Sequence, residues 1–169
     1  MSDSLYSEIK EIAIRARKAS LSLSSATTAE KNDALQSIAR GIESNRKLLK
    51  EENEKDLAMA DENGLSEAMV DRLRLTHERI DSMVKGLRQL IDLPDPAGAV
   101  LDSKQRPNGL EINKVRVPIG VIGIIYESRP NVTIDCAGLC LKSGNVSILR
   151  GGKEAMHSNR AMVSIIAEA

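Results

Sequence analysis

The sequence of 169 residues has almost no aromatic side chains: it lacks Phe and Trp, and its only tyrosines are Tyr6 and Tyr126. A surface that stacks nucleic-acid bases needs aromatic faces, so this composition excludes such a platform. Basic and acidic side chains balance at 24 each. The chain therefore gives no reason to expect nucleic acid or an anionic membrane as a partner.

Long apolar runs are also missing. No stretch approaches the roughly 20 residues that cross a bilayer, and the start MSDSLYSEIK lacks the apolar core of a signal peptide. We therefore expect a cytoplasmic protein. Cys136 and Cys140 stand four apart in a helical pattern with no His nearby, which favours small buried residues over a metal site. We predict no metal.

The first 93 residues carry a helical pattern. Thr27 and Glu30 have the T-x-x-E spacing of a capping box, which predicts a helix start. Gly64 is expected to end a later helix, and Thr76 to cap the last one. That helix ends at DLPDPAG, because two prolines within three residues cannot continue it.

The pattern changes after Gly98. Asn108-Gly109 predicts a β-hairpin that continues into LEINKVRVP. The run PIGVIGIIY, apolar on both faces, predicts a central parallel strand covered by helices on each side. VTIDCAGLCLKS predicts a helix, VSIL a second strand, and SNRAMVSIIAEA a further helix. This order is a right-handed βαβ unit, and the fold class is α/β.

Ligands of such sheets lie beyond the carboxyl ends of the strands. Two loops occupy that position: 126–131, YESRPN, after the first strand, and 150–154, RGGKE, after the second. The topology therefore predicts that both loops lie along one edge.

The loop RGGKEA has the composition of an anion site. Gly151 and Gly152 can adopt backbone angles at which successive N–H groups converge on an anion. Arg150 offers a rigid fork and Lys153 a mobile charge, which favours NADP over NAD, although Glu154 opposes that preference. An ordinary strand-to-helix turn with solvated charges would use the same residues.

The loop YESRPN lacks the glycine fingerprint G-x-G-x-x-G of classical dinucleotide sites. Pro130 restricts Arg129 to extended conformations, and Asn131 is expected to cap a helix that starts at Val132. Glu127 would be unfavourable beside a phosphate, so we expect it to orient Arg129 or to contact an amine.

The segment RPNGLEINKVRVPIGVIGIIYESRPNVTIDCAGLCLKSGNVSILRGGKEAMHSN resembles the γ-glutamyl phosphate reductases, the proline-biosynthetic branch of the aldehyde dehydrogenase superfamily. ENEKDLAMA, DRLRLTHERI and LPDPAG agree with it, so the resemblance covers essentially the whole chain. It implies an aldehyde dehydrogenase-like fold. Residues 1–97 would be the helical part of the cofactor-binding domain, 98–117 a hairpin of an oligomerisation arm, and 118–169 the first βαβα of a Rossmann-like NADP-binding domain.

The resemblance also implies an activity, the NADPH-dependent reduction of L-glutamate 5-phosphate to the semialdehyde and phosphate by a homo-oligomer. The cofactor side would be formed by Ile125, Tyr126, Glu127, Arg150, Gly151, Gly152 and Lys153. The substrate side would be formed by Ser128, Arg129 and Asn131, and either Asn131 or Ser128 would donate to the oxyanion.

In the family a cysteine thiolate attacks the acyl phosphate, phosphate leaves, and hydride reduces the thioester. That cysteine lies well downstream of this stretch, and neither Cys136 nor Cys140 matches it. We therefore expect an N-terminal part that lacks the catalytic domain and reduces nothing by itself.

Two other functions fit the residues. A non-catalytic nucleotide-binding module would use both loops to hold a phosphorylated ligand without further chemistry. A helical interaction protein would act through residues 1–93, would bind no nucleotide, and would be insensitive to Arg150→Glu.

Overall fold

The computed structural model describes residues 3–169, apart from the side chain of Asp3. The helical part comprises α1 Asp3–Leu23, α2 Thr28–Ser44, α3 Arg46–Glu62, α4 Glu67–Leu73 and α5 His77–Asp92. The second part comprises β1 Val100–Gln105, β2 Glu111–Val115, β3 Val121–Ile125, α6 Asn131–Lys142, β4 Val146–Arg150 and α7 Met156–Glu168. A short 3-10 turn, Lys153–Ala155, precedes α7.

The predicted helix signals are confirmed. The Thr27 hydroxyl accepts from the Glu30 N–H at 3.2 Å, and the Glu30 carboxylate accepts from the Thr27 N–H at 2.7 Å. The Thr27 N–H and then its hydroxyl lower the pKa of Glu30. Thr76 caps α5 by accepting from the Arg79 N–H, and Gly64 follows α3 with a φ of 64°.

One hydrophobic core joins the helical part to the βαβ unit. Apolar faces of α2, α5, α6 and α7 meet in it, and its fully buried members include Leu35, Ile42, Ile80, Leu87, Ile134 and Met162. Burying a side chain of this size stabilises the fold by about 1.5–3 kcal/mol. The helices that precede the hairpin therefore hold α6 and α7, and with them the loops that these helices adjoin.

The strands form two separate pairs. β1 and β2 are antiparallel and turn at Gly109, whose φ of 86° suits glycine. β3 and β4 are parallel, with Val121 beside Val146 and Ile125 beside Arg150. The hairpin and the βαβ unit are thus confirmed.

β3 is less covered than its sequence predicts. Its residues are half-buried or exposed, and Ile125 at its end is 81% exposed. Among the described residues, β4 is its only partner strand. Helix α1 contacts both strands and α6 contacts β4, but no residue of β3 is fully buried. The prediction of a strand buried on both faces is therefore wrong for residues 3–169.

Candidate functional site at the carboxyl edge of β3 and β4

The two predicted loops meet at one edge, as the topology requires. Ile125 and Arg150 are register partners, and the Tyr126 N–H donates to the Arg150 carbonyl at 3.1 Å. Both strands therefore deliver their following residues to the same place. The placement of 126–131 beside 150–154 is confirmed.

A buried hydroxyl chain fixes the first loop to the helices behind it. Thr133, which is fully buried, donates to the Asn159 side-chain oxygen at 2.7 Å. The Tyr126 hydroxyl lies 2.6 Å from the Thr133 hydroxyl. Because a threonine hydroxyl carries one hydrogen, Tyr126 must be the donor of that contact. The Tyr126 hydroxyl is thereby linked to α6 and, through Thr133, to α7.

Close packing explains Gly151 and Gly152. Neither has a positive φ, and Gly152 is extended at φ −60° and ψ 149°, so the special backbone angles expected from the sequence do not occur. A Cβ on Gly152 would lie 2.5 Å from the Ser128 hydroxyl and 2.7 Å from a Glu154 oxygen. A Cβ on Gly151 would collide with the side chain of Asn159. The glycines are needed because the loops approach so closely.

The carboxylate of Glu154 is bound by the first loop. Its carboxylate accepts from the Ser128 hydroxyl at 2.6 Å. This hydrogen bond, with smaller contributions from Lys153 and Arg150, lowers the pKa of Glu154. The ionised carboxylate thus joins the two loops.

A cavity of about 490 Å³, here called the β4 cavity, follows β4 and is bordered by α7. Its charged lining consists of Arg150, Lys153 and Arg160, and no carboxylate lines it among the described residues. Leu149 and Val163 supply apolar surface. A site with three cations and apolar walls suits a phosphorylated organic ligand.

A second cavity of about 540 Å³, the central cavity, lies beside the first and shares Tyr126, Arg150 and Gly152 with it. It also contains Met69 and Arg72 of α4. Sequence reasoning missed these two residues, because α4 is more than 50 positions from the loop that it adjoins.

Glu127 pairs with an unexpected partner. Its carboxylate lies 3.7 Å from the Arg72 guanidinium, and its side chain is 83% exposed. Arg129 contacts Glu127 only through its backbone N–H, which donates to the Glu127 carbonyl. The expectation that Glu127 orients the Arg129 side chain is therefore wrong.

Asn131 does not cap α6. Pro130 occupies the N-cap position, and the Asn131 amide donates to the Asp135 carboxylate at 3.1 Å, one turn further along. Burial raises the pKa of Asp135. The predicted capping role is wrong because Asn131 already lies within the helix, where its side chain reaches the i+4 position instead.

The structure distributes the predicted site residues over adjoining cavities. Ile125, Tyr126, Glu127, Ser128, Arg129, Arg150 and Gly152 line the central cavity, Gly151 and Lys153 the β4 cavity, and Asn131 a third cavity at the start of α6. Sequence reasoning missed Asn159 and Arg160, the polar α7 residues that line the β4 cavity, although they follow RGGKEA within six positions.

The two cysteines lie on α6, and neither lines the cavities at this edge. Cys140 is buried and Cys136 is half-buried, and both are free thiols. Burial raises the pKa of each thiol. In residues 3–169, no group of three His, Cys, Asp or Glu side chains is placed to hold a metal ion.

None of the helices within residues 3–169 combines the length and apolar character needed to cross a membrane.

Comparisons with known proteins give a consistent result, although no protein-family model matches the chain. The chain is 52% identical over 162 residues to the γ-glutamyl phosphate reductase of Geobacillus thermodenitrificans, which covers 96% of this chain and 39% of that protein. It is 53% identical over 165 residues to the enzyme of the same name from Desulfotalea psychrophila, covering 98% and 40%. The chain thus spans about two-fifths of the length of these relatives.

Solved structures agree. The crystal structure of the γ-glutamyl phosphate reductase from Thermotoga maritima matches 95% of this chain and 39% of its own, at 51% identity and a TM-score of 0.93. A putative aldehyde dehydrogenase from Bacillus subtilis matches at 15% identity and a TM-score of 0.71. The second likeness concerns the fold alone.

Proposed function

We propose that this chain, which corresponds to the N-terminal two-fifths of the γ-glutamyl phosphate reductases, is the cofactor-binding part of such a reductase. The reaction is the NADPH-dependent reduction of L-glutamate 5-phosphate to L-glutamate 5-semialdehyde and phosphate, in proline biosynthesis. Identities above 50% over nearly the whole chain support this assignment. The observation that carries the cofactor proposal is the lining of the β4 cavity.

The β4 cavity fits the phosphate end of NADPH. Arg150, Lys153 and Arg160 surround it, and Glu154, the acid that would repel a 2′-phosphate, is engaged by Ser128 outside the cavity. A site that accepts ribose hydroxyls with a carboxylate would favour NAD, and this site presents cations. We therefore infer a preference for NADPH, whose role when bound is to supply hydride.

The central cavity fits the nicotinamide end. It adjoins the β4 cavity through Tyr126 and Arg150, and Ile125 presents an exposed apolar side chain in it. The Tyr126 ring is fixed by its hydrogen bond to Thr133, so it can hold a flat ligand at low entropic cost. Residues 125–127 would thus border the reacting ring.

Hydrogen-bond accounting favours Asn131 over Ser128 as the oxyanion donor. The Ser128 hydroxyl has one hydrogen and gives it to Glu154. The Asn131 amide has two hydrogens and gives one to Asp135, so one N–H remains available. Arg129 and Ser128 would contact the substrate from the same loop.

The hairpin and the cell compartment complete the proposal. All residues of β1 and β2 are exposed, and we infer that this hairpin pairs with another copy of the chain. Residues 1–97, 98–117 and 118–169 would act as helical layer, arm and NADP-binding unit. The two free cysteines suit the reducing cytoplasm.

Calorimetric titration of the chain with NADPH and with NADH tests the cofactor proposal. We expect NADPH to bind at least ~10-fold more tightly, the equivalent of about 1.4 kcal/mol. Lys153→Glu should abolish that preference, and the control Lys104→Gln, on the distant hairpin, should preserve it. Equal affinities for both nucleotides in the unaltered chain would contradict the proposal.

A further inference from the structure

The third cavity, here called the arginine cavity, has a volume of about 400 Å³ and lies at the start of α6. Arg72 of α4, Arg79 of α5 and Arg129 of the first loop line it, together with Asp71 and Asn131. Three segments distant in sequence thus bring guanidinium groups to one cavity. Only Arg129 and Asn131 were expected at the site from the sequence.

Arg79 is already neutralised. Its guanidinium lies 3.0 Å from the Asp71 carboxylate and also donates to the backbone carbonyls of Asp71 and Arg74. These bonds close the loop between α4 and α5. Arg79 is therefore a structural part of the cavity wall, and the Asp71 carboxylate balances its charge.

The other two guanidinium groups retain free charge. Arg72 has only the exposed Glu127, at 3.7 Å, and such a solvated pair is worth little. Within residues 3–169, the Arg129 side chain has no hydrogen bond or ion pair. Two available forks in one cavity suit a carboxylate or a phosphate, which guanidinium groups bind with two parallel hydrogen bonds.

The position of the cavity distinguishes these ligands. The arginine cavity shares Arg72 and Arg129 with the central cavity, which in turn shares Tyr126 and Arg150 with the β4 cavity. The three cavities therefore form a row. If the β4 cavity holds the nucleotide phosphates and the central cavity the nicotinamide, the arginine cavity is left for the substrate. The acyl end of the substrate would then lie at Asn131, and its α-carboxylate at the arginines of the same cavity.

We propose that Arg72, with Arg129, binds the α-carboxylate of the amino-acid substrate. This rests on the proposed function for the identity of the amino acid. The site follows from the geometry: at the substrate end of the row, Arg129 has no ion pair within the described part of the chain and Arg72 has only a solvated one. Glu127 acts as the resident counter-ion of Arg72 and is displaced when the carboxylate binds.

A pair of ligands tests the assignment on the chain itself. L-Glutamine and 4-aminobutyramide differ only in the α-carboxylate. In an NMR titration, L-glutamine should shift the guanidinium Nε–H signals of Arg72 and Arg129, and 4-aminobutyramide should not. Equal effects of both ligands, or none from L-glutamine, overturn the proposal. Displacement of L-glutamine by millimolar inorganic phosphate would assign the site to the phosphate and likewise overturn it.

Substitutions give effects of opposite sign. Arg72→Gln should weaken L-glutamine binding at least tenfold, whereas Glu127→Gln should strengthen it by removing the competing carboxylate. Arg74→Gln, an exposed arginine just after α4, is the matched control and should change nothing. An unchanged affinity in Arg72→Gln contradicts the proposal.

NADPH binding separates this test from that of the proposed function. Arg72→Gln should weaken NADPH binding far less than Lys153→Glu does, because Arg72 lies outside the β4 cavity, to which we assign the phosphates. If L-glutamine binds through Arg72 and NADPH does not bind at all, the cofactor proposal fails and the carboxylate site stands. If NADPH binds and L-glutamine does not bind through Arg72, the cofactor proposal stands and the carboxylate site is refuted.

Discussion

The carboxylate of Asp56, on α3, accepts two hydrogen bonds from Ser158, on α7: one from its N–H at 2.8 Å and one from its hydroxyl at 2.7 Å. It also accepts from the His157 N–H at 3.0 Å. Asn53 adds a bond to the Ser158 hydroxyl at 3.0 Å. The Asp56 carboxylate thus binds the N-terminus of α7, the helix that follows RGGKEA, where a negative charge is favourable.

Removing this carboxylate should destabilise the protein. Asp56→Ala leaves buried N–H and O–H groups unpaired, so we expect a loss of about 3 kcal/mol in the free energy of unfolding. Asp56→Asn, which keeps one acceptor, should cost less. Urea denaturation measures both, with Asp61→Ala on the exposed side of α3 as control. An Asp56→Ala variant as stable as the control would contradict the anchoring role.

Acid should weaken the contact between α2 and the segment after α5. Lys31 is buried and lies 2.5 Å from the Asp95 carboxylate. Burial disfavours the charge of Asp95, but the Lys31 ammonium, the Thr28 hydroxyl and the Ala97 N–H outweigh it and lower the pKa of Asp95 below 3.8. A lowered pKa in the folded state gives stability that is present above pH 3.8 and is lost as the pH falls through the folded-state pKa.

The unaltered chain should therefore lose more stability than Asp95→Asn between about pH 5 and about pH 3. At neutral pH, Asp95→Asn should itself be less stable, by about 3 kcal/mol, since it leaves a buried ammonium without its counter-ion. Thermal denaturation against pH checks both expectations. Asp92→Asn, an exposed neighbour, should follow the unaltered chain, and identical pH profiles for all three proteins would exclude the ion pair as the cause.

A methyl group at Gly152 should disturb the site. The added Cβ would meet the Ser128 hydroxyl and the Glu154 carboxylate at 2.5 and 2.7 Å, and the Ser128 backbone nitrogen at 3.2 Å. Gly152→Ala should break the Ser128–Glu154 hydrogen bond, at a cost of about 1–3 kcal/mol in stability, and should weaken NADPH binding. The matched control is Gly123→Ala on β3, where an added Cβ meets nothing within 4 Å. Equal NADPH affinities in the two variants would show that the close approach has no role.

The cysteines should react slowly and catalyse nothing. A thiol reacts as its thiolate, and burial, followed by the neighbouring charge of Asp135, raises the pKa of Cys136 above the ordinary 9.0. Iodoacetamide labelling of Cys136 should therefore reach its half-maximal rate above pH 9.0, and buried Cys140 should react still more slowly. With NADPH and L-glutamate 5-phosphate, we expect no oxidation of NADPH by this chain. Turnover that disappears in Cys136→Ser would refute this.

The hairpin should mediate self-association. Leu110 and Ile112 are 57% and 45% exposed, and each hairpin strand has one partner strand among the described residues. Light scattering should show a molar mass that rises with concentration toward a dimer or a larger species. Leu110→Lys combined with Ile112→Lys should shift the population to the monomer, and Lys104→Gln should not. A monomer at all concentrations would contradict the pairing.

Local sequence signals accounted for the elements and for their order. The capping hydroxyls of Thr27 and Thr76 and the turn at Gly109 act within four residues, so their partners could be identified from the sequence alone. The βαβ order then fixed the edge at which both loops lie, because parallel strands joined by a helix must end on the same side. Arg150 and Lys153 were recognisable as cations of this edge because they directly follow the second strand.

Only the tertiary structure decided which side chains share a cavity. Arg72 reaches the first loop because α4 packs beside it, and Glu127 pairs with this distant arginine rather than with its neighbour Arg129. The glycines of RGGKEA are required by the approach of Ser128 and Asn159, which no local backbone preference reveals. Contacts of this kind depend on how separate elements pack together, whereas a local pattern carries information only about its immediate chain neighbours.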